Sequence, residues 1–323
     1  MEYIAETSEF KIEEPTIVTL GKFDGRHRGH QKLLRIMKEK KQESGYATAI
    51  FTFSIAPAAM VTGKPQTVLT TNQERRRNIE KMGIDYLVEY PFNDQVRHMA
   101  PEEFVSRILV GQMNARIIVA GPDCSFGYQG AGNAAMLERL SGSLGYRLIV
   151  IEKEKDQLRD ISSTYIREEL ALGNVAKANS LLGEPYSIHG RVVHGNQIGG
   201  SVLGFPTANI IPPTIKHLPR FGVYVSRVLV DGTYYKGVTN IGRKPTVKGE
   251  NPVGVETFLF DLNRDIYGEM IEVQLLEFDR PEEKFSSLDE LKERIAADKK
   301  FAESYFETHP MDISGRNSSA LTT

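Results

Sequence analysis

Five short runs of β-branched and apolar residues recur along the first half of the chain: TIVTL (16–20), ATAIFTF (47–53), DYLVEY (85–90), ARIIVAG (115–121) and YRLIVIE (146–152). Their apolar positions are consecutive rather than alternating, the pattern of strands buried on both faces. Between them, stretches at 30–43, 72–82, 101–109 and 132–140 place apolar residues at helical spacing. Strand and helix in alternation predict a doubly wound α/β domain built on a parallel sheet, spanning residues 1–183. The segment TYIREELALGNVAKANSLLG closes it, with Leu and Ala at helical spacing and Gly173 and Gly183 as helix stops.

Beyond Gly183 the period changes. The runs YSIHGRVVHG, FGVYVSRVLVDGTYYKGVTNIG and VETFLFDLNRDIYGEMIEVQLLEF alternate apolar with polar positions and are punctuated by turn residues. Asp231-Gly232 between two such runs is a hairpin signal. Several short strands followed by one helix at 288–306 predict a small antiparallel β-barrel with a C-terminal helix, spanning 184–309. The stretch 310–323 is polar and aperiodic, a disordered tail by composition.

Length and charge fit this division. A chain of 323 residues is long enough for about two domains of roughly 150 residues, each with its own core. Forty basic against forty-two acidic side chains leave a formal charge of -2. That excludes a general electrostatic attraction for nucleic acid or an anionic membrane, so any anion site must be local. The single cysteine, Cys124, excludes an internal disulfide framework. The acidic N-terminal stretch has no apolar core of a secretory signal, and no run of about 18 apolar residues occurs, so the expected location is the cytoplasm. Self-association into a homo-oligomer is left open.

Two segments carry chemistry. In GKFDGRHRGH (21–30), Gly21 and Gly25 allow a sharp turn between strand and helix, and the helix start points its N–H groups at whatever fills the turn. Gly21, Phe23, Asp24 and Gly25 are the expected ATP-binding turn. His27 and His30, three apart at the helix entry, can turn their imidazoles to one point, where their N–H groups would neutralise an α-phosphate under attack. Ser162, Ser163 and Thr164 in ISSTYIR suit capping and phosphate contact, with Arg167 one turn further. In LGFPTANI (203–210), Gly204 and Pro206 set a turn from which Thr207 and Asn209 can reach a hydrated Mg2+ on ATP phosphates. Gly195, with the other glycines of GNQIGGSVLG, supplies backbone amides for the same phosphates. Alternation puts Val255 and Thr257 on the strand face opposite Glu256 and aims its carboxylate at the barrel mouth or solvent.

These motifs together resemble the bacterial bifunctional riboflavin kinase/FAD synthetase family, over nearly the whole chain apart from the tail. His27-Arg28-Gly29-His30 is similar to the HxGH element of its nucleotidyltransferase module, Ser162 to Arg167 to its SSTxxR element, and PTAN to its riboflavin kinase signature. The resemblance implies two reactions on Mg2+-ATP, phosphorylation of riboflavin to FMN and adenylylation of FMN to FAD, with catalytic His27, His30 and Glu256. It also implies a nucleotide-side role for Asp123 and a flavin-side role for Arg280 in Arg280-Pro281-Glu282. Asn240 to Thr246 also matches and reads as a turn. The chain departs from the family pattern at Ser54 to Pro57, at Cys124 and Ser125, and at Ile198 and Gly200 of the glycine loop. Two alternatives stand beside the bifunctional reading: one retained activity, the kinase, or a flavin-binding sensor without turnover.

Overall fold

The computed structural model describes residues 1–55, 66–194, 207–243 and 253–311. Gly195, Ile198, Gly200, Gly204, Pro206, the end of the Ser54 to Pro57 stretch and nearly all of the predicted tail lie outside the described residues. The chain forms two compact units, Met1–Ser163 and Thr164–Thr323.

The first unit is a six-stranded sheet in the order β1-β4-β3-β2-β5-β6. Its strands are β1 (Glu2–Ala5), β2 (Thr16–Leu20), β3 (Ala47–Phe53), β4 (Tyr86–Tyr90), β5 (Ala115–Ala120) and β6 (Arg147–Val150). Every pairing is parallel. The consecutive apolar positions separate cleanly onto two faces. Ile17, Ile50, Leu87, Ile117 and Val119 pack with Leu34 and Met37 of helix α1 (Arg28–Ser44) and Ile79 of α2 (Asn72–Lys81). Val18, Ala49, Phe51, Val88 and Ile118 pack against the opposite layer, which includes Ile108, Leu109 and Leu137 of α3 (Ala134–Leu144). Each such fully buried side chain contributes roughly 1.5–3 kcal/mol, so both faces need cover and the doubly wound arrangement follows. The helix expected at 101–109 begins as one α turn, Pro101–Glu103, and continues as a π-helix over Phe104–Gln112. The strand β1 was not legible: it is short and half-exposed at the sheet edge, so packing never imposed an apolar run on it.

Strand order fixes where a ligand site forms. β2 connects through α1 to β3 on one side, while β5 pairs β2 on the other, so the order reverses between β2 and β5. In open α/β sheets the crevice beyond the carboxyl ends of strands at such a reversal is the ligand site. The loops 21–27 and 121–127 both leave the sheet there.

The second unit is antiparallel throughout, in the order β10-β13-β12-β11-β14-β9. Its strands are β9 (Tyr186–Arg191), β10 (Thr207–Ile210), β11 (Gly222–Val230), β12 (Thr233–Arg243), β13 (Val253–Leu259) and β14 (Met270–Pro281); the labels β7 (Lys155–Asp156) and β8 (Arg159–Asp160) belong to a small hairpin of the first unit. A bridge between Val193 and Asn209 joins the two sheet edges and closes the barrel. Asp231 and Gly232 both take positive φ, +46° and +79°, the geometry of a tight primed hairpin turn. Helix α6 (Leu288–Thr308) lays Ala302 and Phe306 on the outer barrel face against Val225 and Phe260.

The division falls upstream of the expected boundary at 183. Helices α4 (Ser163–Leu172) and α5 (Val175–Leu182) belong almost entirely to the second unit. The Leu170 carbonyl accepts from Arg220 N at 2.8 Å, and Asn179 bonds both the Leu275 carbonyl and Tyr186 N.

Candidate functional sites

At the carboxyl end of β2 the chain turns through Gly21–Arg26 into α1, and His27 is the N-cap, its backbone extended and its ring Nδ1 accepting from His30 N at 3.4 Å. The two imidazoles stack, ring centres 3.7 Å apart and planes 21° apart, as the three-residue spacing leads one to expect. His30 Nδ1 lies 2.7 Å from the Gly25 carbonyl, so its proton sits on Nδ1 and is donated there. The neutral pair is therefore asymmetric. His27 accepts at Nδ1 and carries its proton on Nε2, whereas His30 presents Nε2 as an acceptor. Desolvation first, and the facing His30 second, push the His27 pKa down to about 2. Desolvation also lowers that of His30, against the opposing pull of the Gly25 carbonyl and Asp24. Both rings are uncharged before an anion arrives, and an incoming phosphate would favour their protonation.

The motif's glycine has a steric reason. A Cβ on Gly29 would stand 3.2 Å from His27 Nδ1 and 3.3 Å from its Cε1, a tight contact that would push the ring from its place on the helix start. The remaining turn residues build the turn. Phe23, at φ +47°, is buried among Leu34 and Met37, its ring 4.8 Å from that of His30. Asp24 Oδ1 accepts from Leu69 N at 2.6 Å and Thr70 N at 3.2 Å, so its carboxylate clamps the segment before α2. Ser163 Oγ donates to the Asp24 carbonyl at 2.6 Å, and Arg75, held by the fully buried Glu89, donates to the Lys22 and Phe53 carbonyls. Ser162 is half-buried beside it; Thr164 and Arg167 stand on α4 in the second unit.

Asp123, beyond β5, is exposed and paired with Lys153 at 2.9 Å, and Lys153 also meets Asp160 at 3.1 Å. Its neighbour Cys124 packs against the apolar layer, where burial, then Asp123, pushes the thiol up to about 11. A neutral, half-buried thiol is a packing group here.

In the second unit the register aligns one residue from each of five strands. Asn209 of β10 faces Glu256 of β13, Glu256 faces Asn240 of β12, Asn240 faces Val223 of β11, and Val223 faces Arg280 of β14. Register partners share a sheet face. That face is the outer one, beneath α6, and Glu256 opens there on a cavity of about 260 Å³. Val255 and Thr257 are buried on the opposite face, as alternation requires. Thr207 Oγ1 donates to Glu256 Oε1 at 2.6 Å, and Asn209 Nδ2 lies 3.4 Å from Thr207 Oγ1. Thr207 Oγ1 thus stands on the Glu256 carboxylate with the Asn209 amide two residues along β10, a hydroxyl, an amide and a carboxylate of the kind that suits a hydrated Mg2+.

Arg280 lines the same cavity, but its guanidinium is engaged by the fold. Nε and Nη2 meet the two Asp298 oxygens at 2.8 and 2.7 Å, and Nη1 donates to the Pro281 carbonyl at 3.2 Å. Asp298 comes from α6, so the pair clasps the helix to the end of β14. Sequence reasoning missed Thr70, Asn240 and Asp298. Asn240 sat in a motif read only as a turn, and nothing local distinguishes Asp298 from the other charges of α6.

The comparisons agree with this division of sites. Residues 9–165 match the family described as FAD synthetase, and residues 182–306 match riboflavin kinase. The chain is 36% identical over 296 residues to the bifunctional riboflavin kinase/FMN adenylyltransferase of Bacillus subtilis (strain 168), covering 90% of this chain and 92% of that one. It is also 36% identical over 296 residues to the protein of that name from Escherichia coli (strain K12), covering 91% and 94%. A solved structure named as a macrolide-efflux protein from Streptococcus pneumoniae superposes with a TM-score of 0.83 at 32% identity, covering 94% of this chain and 98% of that one. No helix among the described residues here is long and apolar enough to cross a membrane.

Proposed function

The chain belongs to the bifunctional riboflavin kinase/FMN adenylyltransferase family, and from that premise we propose which of its groups carry each reaction. It is a two-step enzyme of flavin-cofactor synthesis: riboflavin is phosphorylated by ATP to FMN, and FMN is adenylylated by ATP to FAD with release of pyrophosphate.

In the first unit, an FMN phosphate oxygen attacks the α-phosphorus of ATP as the bond to the β-phosphate breaks. The Nε2–H of His27 donates to an α-phosphate oxygen as charge builds on it, and His30, taking a proton at Nε2 when the anion binds, supplies a second donor. No covalent intermediate is needed. Gly21, Phe23, Asp24, Gly25 and Ser163 shape the turn rather than neutralise phosphate.

In the second unit the riboflavin 5′-hydroxyl attacks the γ-phosphorus, the bond to ADP breaks, and Glu256 takes the hydroxyl proton. Thr207 and Asn209 would hold Mg2+, which supplies charge neutralisation on the phosphates of ATP. Val223, Val238, Phe258, Phe285, Leu291 and Ile295 give the cavity apolar walls suited to a flat flavin ring. The observation that carries the reading is the opening of the Glu256 carboxylate, hydrogen-bonded by Thr207, onto this cavity.

A chromatographic product assay with Mg2+-ATP, begun once from riboflavin and once from FMN, tests it. FMN and FAD both appear if both sites work. FMN alone means that the changes at Ser54 to Pro57, Cys124 and Ser125 have cost the adenylyltransferase; flavin bound without product means a sensor.

A further inference from the structure

His30 is held by a carbonyl that belongs to the least constrained kind of residue. Gly25 has φ +76°, a conformation glycine adopts freely and readily leaves. Its carbonyl takes the His30 Nδ1 proton at 2.7 Å, and its N–H donates to Thr70 Oγ1 at 3.1 Å. Thr70 is itself fixed. Its N–H donates to Asp24 Oδ1 at 3.2 Å, and the next residue, Thr71, caps α2 with a reciprocal box in which Thr71 Oγ1 accepts from Glu74 N and Glu74 Oε2 accepts from Thr71 N. The contacts run unbroken from a capped helix, through one hydroxyl and one glycine, to one ring nitrogen.

We propose that Thr70 is a positioning residue for adenylyl transfer: its hydroxyl fixes Gly25, and the Gly25 carbonyl fixes the ring plane and tautomer of His30. The inference rests on the role assigned to the histidine pair above. Loss of the hydroxyl leaves the Gly25 N–H without its acceptor and frees the turn. The His30 proton then redistributes between Nδ1 and Nε2, and the stack on His27 loosens. The Nδ1–H bond to the Gly25 carbonyl aims Nε2 at the substrate side and leaves it open to take the proton it then donates. The effect falls on kcat, since the geometry it disturbs matters most in the transition state.

The test uses the full chain with Thr70→Val, Thr70→Ser and His30→Ala, following FMN to FAD with Mg2+-ATP and recording the ring 15N shifts of the histidines. Thr70→Val is expected to lower kcat roughly tenfold with KM for ATP changed less than about twofold, and to give mixed His30 tautomers. Thr70→Ser, which keeps the hydroxyl, is expected to stay within about threefold of the parent and to retain the Nδ1–H form. Wild-type kcat and an unchanged tautomer in Thr70→Val overturn the proposal. So does a Thr70→Ser protein as slow as the valine variant, an arm that holds even where valine impairs folding. Undiminished FAD formation by His30→Ala overturns instead the reading of the histidine pair.

Discussion

The two units hold their functional groups in opposite ways. In the first, the proposed groups are contiguous: residues 21–30, running from the end of β2 into the first turn of α1, contain both histidines, and the fold buries His27, half-buries His30 and spends most of their neighbours on shaping one turn. In the second, the chemistry is dispersed. Asn209, Glu256, Asn240 and Arg280 come from four strands and meet only because an antiparallel register sets them in one row. A strand-to-helix turn can encode a site in a short word, whereas a sheet face encodes it in spacings set by every intervening turn.

The sharpest way to break this comparison is to remove one group from each unit. His27→Ala is expected to lower FMN adenylylation by about 10²-fold or more while leaving riboflavin phosphorylation within about twofold. Glu256→Gln is expected to lower phosphorylation by roughly 10²–10⁴-fold and spare adenylylation. Steady-state rates from riboflavin and from FMN measure both. Loss of both activities in either variant means that the units do not act separately.

The next effect is on stability, because each unit rests on a buried ion pair. Glu89 is fully buried against Arg75, and Asp298 is clasped by Arg280. Deleting one partner leaves the other charge buried and uncompensated, at a cost of roughly 3–5 kcal/mol. Glu89→Ala is therefore expected to destabilise the first unit and Asp298→Ala the second, read by denaturant titration alongside the two activities. In Asp298→Ala the kinase is expected to weaken in KM for riboflavin as α6 loses its hold on the cavity wall.

A smaller effect separates the units by pH. The folded pKa of His27 lies far below its unfolded value of 6.5. Below that value the unfolded chain binds a proton that the native chain does not, so stability is present above pH 6.5 and falls with pH below it, by up to about 1.4 kcal/mol per pH unit. The loss runs from 6.5 downward toward about 2. His27→Gln is expected to flatten this slope by about one proton in the first unit's unfolding, and a slope unchanged from the parent would contradict the burial of a neutral ring. Gly29→Ala, which presses a Cβ on that ring, is expected to cost adenylylation roughly tenfold without changing phosphorylation.

The same contrast explains what the sequence disclosed. TIVTL and ATAIFTF run as strands over the residues read from pattern, because burial on both faces leaves no choice of period. The histidine pair stacks where spacing put it. The roles of Asp24 and Phe23 were harder: a carboxylate in a glycine-rich turn suggests ligand contact, yet its partners, Leu69 and Thr70, come from a distant segment that no local pattern connects to it. Alternation sets Glu256 opposite Val255 and Thr257 and aims it at the barrel mouth or solvent; that α6 with Asp298 covers its face and leaves a cavity there is a tertiary fact. Arg280 reads as a flavin-side residue, and its bidentate clasp on Asp298 is likewise a tertiary contact that no local pattern discloses.

The most direct test of two separate sites in one chain is to mix His27→Ala and Glu256→Ala proteins, supply riboflavin and Mg2+-ATP, and follow FAD. The account expects FMN from the first variant alone, no product from the second alone, and FAD from the mixture as FMN passes between them. FAD from either variant alone, or none from the mixture although Glu256→Ala still converts added FMN, would contradict it.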